Sequence, residues 1–211
     1  CLGVFADENE VKNSPKQFTD NTQPGDLKYR DVDGNGKINN DDRTPVEGRF
    51  PGFEYSINLG ASWKGFDLSL LGQGVADKKY YIDGWGVQPF RQGSAPTREY
   101  LAGMWTPENP NNALHPKLYF DNMGGGKNLR DNTYFLRNAS YFRLKNFTLG
   151  YTIPKLITDK ISMSRLRVYF SADNLFTITK FEGLDPERNG DGRAAQYPQN
   201  RIISFGLNVE F

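Results

Sequence analysis

Apolar and polar residues alternate most clearly at the end of the chain. Ile203, Phe205, Leu207, Val209 and Phe211 point one way along an extended backbone, and smaller or hydrophilic residues point the other way. This pattern predicts a strand with one apolar and one polar face. It is typical of a membrane β-barrel wall, with lipid on one side and water on the other. An ordinary strand of a soluble sandwich, with one face in the core, has the same pattern.

Four further stretches alternate in the same way, so we predict five antiparallel strands. They lie at about 53–63, 66–74, 134–153, 165–176 and 202–211. The first two form a hairpin around the tight turn Lys64-Gly65. In the third, the apolar row changes parity at Lys145 and Asn146. A β-bulge at these two residues restores a single apolar face.

The remaining segments are long and lack this period. We predict that residues 1–52 form an extracellular loop, and that residues 53–211 hold the barrel strands with outer loops at 75–131 and 178–200. Such long connections are unusual in compact soluble domains but expected on the outer side of membrane barrels. If the Lys64-Gly65 turn is periplasmic, both long loops lie outside and Phe211 lies in the periplasm.

Composition narrows the class of protein. Aromatic residues make up 14% of the 211 residues and glycine numbers 22, which suits short aromatic strands separated by turns. Lys plus Arg is 26 against 25 for Asp plus Glu, so no basic excess indicates a nucleic-acid partner.

The single cysteine, Cys1, excludes an internal disulfide framework. We interpret Cys1 as the start of a piece of a longer chain, with a lipid-modified lipoprotein start as the alternative.

An acidic loop within residues 31–42 has the spacing of a calcium-binding loop. Oxygen-bearing residues stand at positions 1, 3, 5, 9 and 12, and Gly36 occupies the sharp turn at position 6. Asp42 replaces the longer Glu that is usual at position 12. The alternative is a solvated Asp/Asn/Gly turn. We predict a structural Ca²⁺ and no organic cofactor, with the ligands Asp31, Asp33, Asn35, the Lys37 carbonyl, Asn39 or its water, and Asp42.

Five strands cannot close a barrel, because known membrane barrels have at least about eight strands and an open edge in lipid leaves backbone groups unpaired. The chain is therefore predicted to form part of a larger wall. Its inward side chains are many and of both signs, which suits a water-filled or plugged lumen. The predicted lumen-facing residues are Glu54, Asp67, Arg143, Lys145, Arg165, Arg167, Asp173 and Glu210.

Other candidate residues lie in the outer loops. The aromatic residues Tyr80, Tyr81 and Trp85 are candidate contacts for a substrate or a lid, although packing within the loop explains them as well. The only histidine, His115, has no second histidine or cysteine near it in sequence, so we assign it no metal or catalytic role. Asp185 and Glu187 lack a nucleophile or pocket, and a solvated turn explains them better than an acid/base pair. The sequence does not indicate an enzyme.

Several motifs together resemble one family. They include Pro24-Gly25-Asp26-Leu27-Lys28-Tyr29-Arg30-Asp31, Trp63-Lys64-Gly65-Phe66-Asp67-Leu68-Ser69, Tyr141-Phe142-Arg143-Leu144-Lys145-Asn146-Phe147, Asn174-Leu175-Phe176, Leu184-Asp185-Pro186-Glu187 and Tyr197-Pro198-Gln199. In this order they resemble the C-terminal barrel region of SusC/RagA-type TonB-dependent outer-membrane transporters of Bacteroidota. The resemblance runs from about residue 20 to Phe211, whose terminal aromatic side chain then belongs to the assembly signal of outer-membrane barrels.

The resemblance implies an all-β transmembrane segment of a barrel with roughly 22 strands. It also implies a plug and a TonB-contacting segment in a missing N-terminal region, and a SusD-like surface lipoprotein as lid. Oligosaccharides or peptides would be the imported ligands. The alternative function is a secreted, calcium-stapled β-sandwich that binds glycans, which would draw on the same acidic loop and aromatic residues.

Overall fold

The computed structural model describes residues 1–84, 87–119, 127–187 and 197–211. Within them the chain divides into two compact units: one contains Cys1–Glu47 and Tyr81–Leu136, and the other contains Gly48–Tyr80 with residues 137–187 and 197–211. The strands are β1 (Gly3–Val4), β2 (Leu27–Lys28), β3 (Phe53–Trp63), β4 (Phe66–Ala76), β5 (Lys79–Tyr81), β6 (Leu136–Asn138), β7 (Tyr141–Thr152), β8 (Arg165–Thr179) and β9 (Ile202–Glu210).

Helices are short throughout the described residues. The α-helices are α1 (Glu8–Lys12), α2 (Arg98–Gly103) and α3 (Lys155–Thr158), and single 3₁₀ turns occur at Asn40–Asp42, Arg91–Gly93, Thr133–Phe135 and Asp159–Ile161. Asp7 and Thr97 cap α1 and α2, because each side chain accepts a hydrogen bond from a backbone N–H of the first turn. Among these helices, none has both the length and the apolar character that crossing a membrane requires.

The first unit has its own small core. Its buried apolar side chains include Phe5, Leu27, Ile38, Ile82 and Phe135. The segment 1–52, predicted as loop, contains α1 and the antiparallel pair β1–β2. The sequence missed these elements because each is too short to show a period.

A buried carboxylate, Asp26, connects distant parts of this unit. Asp26 accepts hydrogen bonds from the Tyr119 hydroxyl (2.5 Å) and the Gln23 N–H (2.9 Å), and it pairs with Lys127 at 3.1 Å. The side-chain amide of Asn128 lies 3.3 Å from the same carboxylate. These contacts tie the Pro24-Gly25-Asp26 motif to residues about 100 positions later in the chain, which explains how a segment without periodicity becomes ordered.

The second unit is built on a five-stranded antiparallel sheet. Its order is β3-β4-β7-β8-β9, which is also their order along the chain, with β5 and β6 between β4 and β7. The predicted all-β fold with five strands is confirmed. In the third strand the pairing with β4 and β8 shifts between Leu144 and Asn146, which confirms the β-bulge predicted there.

The beginning of the third strand differs from the prediction. We expected it at about residue 134, but β7 starts at Tyr141, and residues 136–138 form the separate strand β6 that pairs with β5. The Asn138 side chain accepts a hydrogen bond from the Ser140 N–H at 2.9 Å. This local turn competes with the strand ladder and interrupts the extended backbone. At the other boundaries, β4 and β8 extend to Ala76 and Thr179, slightly into the predicted loops.

The two faces of the sheet differ sharply in polarity. Cross-strand rows on one face are apolar from β3 to β9: Trp63, Phe66, Tyr151, Val168 and Leu207 form one row, and Ala61, Leu68, Leu149, Phe170 and Phe205 form the next. On the opposite face a matching row consists of Gly60, Ser69, Thr148, Ser171 and Ser204. In these rows the alternation predicted from the sequence holds in register across all five strands.

Candidate functional site

The apolar face is the more unusual of the two, because its side chains are exposed. Phe205 is 82% exposed, Leu207 67% and Trp63 68%, and Ile57, Leu149 and Val168 are exposed as well. Leaving such side chains in water costs about 1.5–3 kcal/mol each relative to burial. A continuous exposed surface of this kind indicates contact with lipid or with another protein surface.

Aromatic residues mark both ends of this face. At one end Phe53, Tyr55 and Phe142 stack in series, with ring centroids 5.8 and 6.3 Å apart. At the other end Phe66 packs on Tyr151 with centroids 4.5 Å apart. The strand β3 has 11 residues and carries an aromatic residue at each terminus. Ten steps of about 3.3 Å at a tilt of about 40° span about 25 Å, the height of the apolar band in outer-membrane barrels.

The polar face carries a cluster of four charged residues beside the bulge. Arg143 of β7 donates hydrogen bonds to Asp185 (2.8 Å), to Glu187 (2.6 Å) and to the Thr177 hydroxyl (2.8 Å). Lys145, the bulged residue, donates to the other oxygen of Glu187. Arg143 and Asp185 are almost completely buried. Because two cations meet two carboxylates, the cluster has no net charge.

Asp185 also holds together two parts of the segment predicted as the second outer loop. One carboxylate oxygen accepts from the Glu187 N–H at 2.9 Å, and the other accepts from the Gln199 N–H at 2.8 Å. Burial alone raises the pKa of Asp185, but the hydrogen bonds from Gln199, Arg143 and Glu187 outweigh it and hold the pKa below its ordinary value. The prediction that Asp185 and Glu187 form a solvated turn is therefore wrong. Ion pairs with Arg143 and Lys145 offset the cost of removing the two carboxylates from water.

The other residues predicted to face the lumen all belong to this sheet. Arg167 forms a two-pronged pair with Asp67 (2.9 and 2.5 Å), and Arg165 lies 3.4 Å from Glu210. Asp173 accepts a hydrogen bond from Asn146 at 2.8 Å. Glu54 is exposed on β3. That these side chains face a lumen stays a prediction.

The acidic loop of the first unit gathers three of its six predicted ligands. Carboxylate oxygens of Asp31, Asp33 and Asp42 lie within 4.8 Å of one another. Asp31 accepts from the N–H groups of Gly34 (2.7 Å) and Gly36 (2.8 Å). Backbone hydrogen bonds from Asn39 and Val32 lower the pKa of Asp42, which keeps it ionised.

The remaining predicted ligands line the same loop. The side-chain oxygens of Asn35 and Asn39 accept from the N–H groups of Lys37 (3.0 Å) and Asp41 (2.6 Å). Two backbone hydrogen bonds anchor the loop: Lys16 N–H donates to the Gly36 carbonyl and Ile38 N–H donates to the Lys16 carbonyl. The donor set consists of oxygens on a tightly turned backbone, which is the chemistry that Ca²⁺ prefers.

The aromatic candidates of the predicted outer loops have partners within the protein. Tyr80 packs edge-on against Phe181 with centroids 5.5 Å apart, and Tyr81 packs against Phe135 at 5.8 Å. Trp85 lies outside the described residues. His115 stacks on Tyr100 and its Nδ1 lies 2.6 Å from the Tyr134 hydroxyl. Phe211 follows β9 and is 90% exposed.

Comparison with known proteins finds that the chain is similar to TonB-dependent receptors. No protein-family model matches it. It is 30% identical over 224 residues to TonB-dependent receptor P26 of Formosa agariphila. This alignment covers 100% of this chain and 22% of that protein. It is 27% identical over 195 residues to TonB-dependent receptor SusC of Bacteroides thetaiotaomicron, covering 92% of this chain and 18% of SusC. The chain thus spans about a fifth of the length of these curated relatives.

Solved structures give the same result. The RagAB peptide transporter matches with a TM-score of 0.66 and 30% identity, over 83% of this chain and 19% of that one. The RagAB peptide importer in its closed-closed state matches with a TM-score of 0.66 and 29% identity, over 86% of this chain and 20% of that one. These similarities confirm the resemblance to SusC/RagA-type TonB-dependent transporters and the antiparallel barrel-segment fold.

Proposed function

From its homology to SusC/RagA-type TonB-dependent transporters, we propose that this chain forms a section of the barrel wall of an outer-membrane nutrient importer. The exposed apolar face, bounded by aromatic residues at both ends, is the observation that carries the proposal. Lipid covers this face, and the polar face with its charged residues borders the lumen. The relatives are receptors and importers, which agrees with a role other than catalysis.

The five strands account for part of a closed wall. Both edge strands of the sheet, β3 and β9, have one side without a partner strand among the described residues. In lipid such edges are satisfied only by further strands. The resemblance to SusC/RagA-type transporters implies a barrel of roughly 22 strands, and we assign the chain to such a barrel. The rest of the longer protein supplies the plug and the TonB contact, and a SusD-like lipoprotein forms the lid.

The secreted β-sandwich is the weaker alternative. A sandwich buries the apolar face of one sheet against a second sheet, whereas Phe205 and Leu207 are among the most exposed large apolar residues in the described part of the chain. We propose oligosaccharides or peptides as the imported solutes. RagAB is a peptide importer, and the family resemblance implies both classes. Growth of a deletion strain on each nutrient as sole carbon source distinguishes the two.

Orientation is tested in cells that produce the full-length protein without other cysteines. We place the turn between β7 and β8 in the periplasm and the segment containing Leu114 outside. An impermeant maleimide should then label Leu114→Cys in intact cells, and Ser162→Cys only after the outer membrane is permeabilised. Labelling of both positions in intact cells, or recovery of the protein from the medium without membranes, would contradict the proposed location.

We also propose that the acidic loop binds Ca²⁺ as a structural ion. Asp31, Asp33 and Asp42 would supply charged oxygens, and Asn35, the Lys37 carbonyl and Asn39 would complete the shell. The ion would replace mutual repulsion of three carboxylates with attraction and stiffen the loop. Calcium titration of the purified protein by calorimetry tests this proposal.

A further inference from the structure

The segment that connects β7 to β8, residues 153–164, has inverted polarity. Leu156, Ile157 and Ile161 are 79%, 54% and 51% exposed, whereas Thr158 is 1% exposed. In water the opposite arrangement is favoured, since large apolar side chains gain about 1.5–3 kcal/mol each from burial. We refer to residues 153–164 as the β7–β8 turn. Its surface suits surroundings that are less polar than water.

Backbone hydrogen bonds fix the β7–β8 turn at one end of the sheet. Ile153 N–H donates to the Leu166 carbonyl and Ser164 N–H donates to the Glu210 carbonyl, both at 2.8 Å. Thr152 N–H donates to the carbonyl of Gly65 at 2.8 Å, so the β3–β4 hairpin turn lies at this end too. The β7–β8 turn therefore continues directly from the aromatic row that contains Phe66 and Tyr151.

Cations accompany the exposed apolar residues. Lys155 and Lys160 belong to the β7–β8 turn, which contains a single acidic residue, Asp159. Lys64 stands in the neighbouring hairpin turn with its Nζ 4.8 Å from the centre of the Trp63 ring. Large apolar side chains interleaved with lysines are typical of elements in the headgroup region, where the apolar groups reach the acyl boundary and the ammonium groups bind phosphates.

We propose that the β7–β8 turn is embedded in the headgroup region of the lipid leaflet at this end of the barrel. Leu156, Ile157 and Ile161 enter the acyl boundary, and Lys155 and Lys160 bind lipid phosphates. The turn thereby anchors the vertical position of the wall in the membrane. This inference rests on the proposed membrane location, and two features favour lipid: continuity with the exposed apolar face and the excess of lysine.

Nitroxide accessibility tests the inference in the full-length protein, reconstituted into vesicles of phosphatidylethanolamine and phosphatidylglycerol. Single labels are placed at Ile157 in the turn, at the exposed polar residue Asp159 of the same turn as a matched control, and at Leu207 on the wall. Collision with O₂ reports lipid, and collision with a water-soluble nickel complex reports water. We expect the label at Ile157 to prefer O₂, at a depth of about 5–10 Å below the headgroup surface, and the label at Asp159 to prefer nickel.

Three outcomes separate the possibilities. If the nickel complex reaches Ile157 as readily as Asp159, the inference is overturned. If the label at Leu207 still prefers O₂ in that case, the proposed function remains intact. Exclusion of both reagents from Ile157 shows that another part of the longer protein covers the turn, which also overturns it. Nickel access at Leu207 contradicts the membrane wall itself.

Discussion

Arg167 reaches from β8 across β7 to bind Asp67 on β4, and its guanidinium passes over Gly150. The two nitrogen–oxygen distances are 2.9 and 2.5 Å. A Cβ atom on Gly150 would lie 2.4 Å from the guanidinium and 2.6 Å from the carboxylate. Because glycine has no side chain, the Arg167–Asp67 ion pair can cross Gly150 and connect β4 with β8 over β7. An ion pair between two adjacent strands would connect only those two.

Gly150→Ala should displace this pair. We expect the free energy of unfolding to fall by about 1–2 kcal/mol, since charged hydrogen bonds contribute about 1.5–3 kcal/mol and partial exposure screens them. Urea unfolding of the full-length protein in lipid vesicles measures the change. Gly60→Ala is the matched control, because a Cβ there meets only the Leu68 carbonyl oxygen at 3.9 Å. Equal destabilisation by both substitutions would contradict this account.

Asp185→Asn should release the second outer loop from the sheet. The substitution leaves the buried Arg143 with one carboxylate instead of two, and removal of one partner of a buried pair is costly. We expect a loss of about 2 kcal/mol or more and faster motion of a nitroxide at Leu184. Glu182→Gln is the control, because it removes the Glu182–Arg137 ion pair, whose carboxylate is 73% exposed. It should lower the free energy of unfolding by less than about 1 kcal/mol. Unchanged motion at Leu184 in Asp185→Asn would show that the loop is held by other contacts.

Acid should release the same loop. The folded pKa of Asp185 lies below its ordinary value, so the stabilisation is complete above the unfolded pKa of about 3.9 and is lost as pH falls through the folded pKa. The nitroxide at Leu184 should therefore gain mobility only at pH below about 3.9. In Asp185→Asn, we expect high mobility at every pH. A transition centred near neutral pH would exclude Asp185 as its origin.

Calcium affinity should depend on which carboxylate of the acidic loop is removed. Asp33→Asn takes away one of three gathered carboxylates, and we expect the affinity to fall by about tenfold or more, since ligand charge sets the affinity of such loops. Asp41→Asn changes the net charge equally but removes no predicted ligand. Calorimetry should find Asp41→Asn close to the unsubstituted protein. Equal losses would indicate general electrostatic attraction and no defined site.

The strands and the bulge could be predicted from the sequence because side chains alternate with a period of two. A sheet with unlike surroundings on its two faces must keep one parity apolar, so the parity change around Lys145 required a bulge. The gathering of Asp31, Asp33 and Asp42 could also be predicted, because the proposed calcium ligands lie within 12 consecutive residues.

The long-range contacts could not be predicted in this way. Arg143 and Asp185 are 42 residues apart, and no local pattern indicates that an Asp-Pro-Glu turn folds back onto a strand. Asp26 depends likewise on Tyr119, 93 residues later. For Asp185 and Asp26 alike, the sequence shows only a carboxylate within a motif. Its burial is seen only in the structure, where its distant partners surround it.

The most direct test of the central claim is a nitroxide scan along β9 of the full-length protein in lipid vesicles. Labels at Ile203, Phe205, Leu207 and Val209 should collide preferentially with O₂, and labels at Ser204 and Asn208 with the water-soluble nickel complex, giving a period of two. A contradictory result would be exclusion of both reagents from the first four positions, as in a protein core, or nickel access at all six.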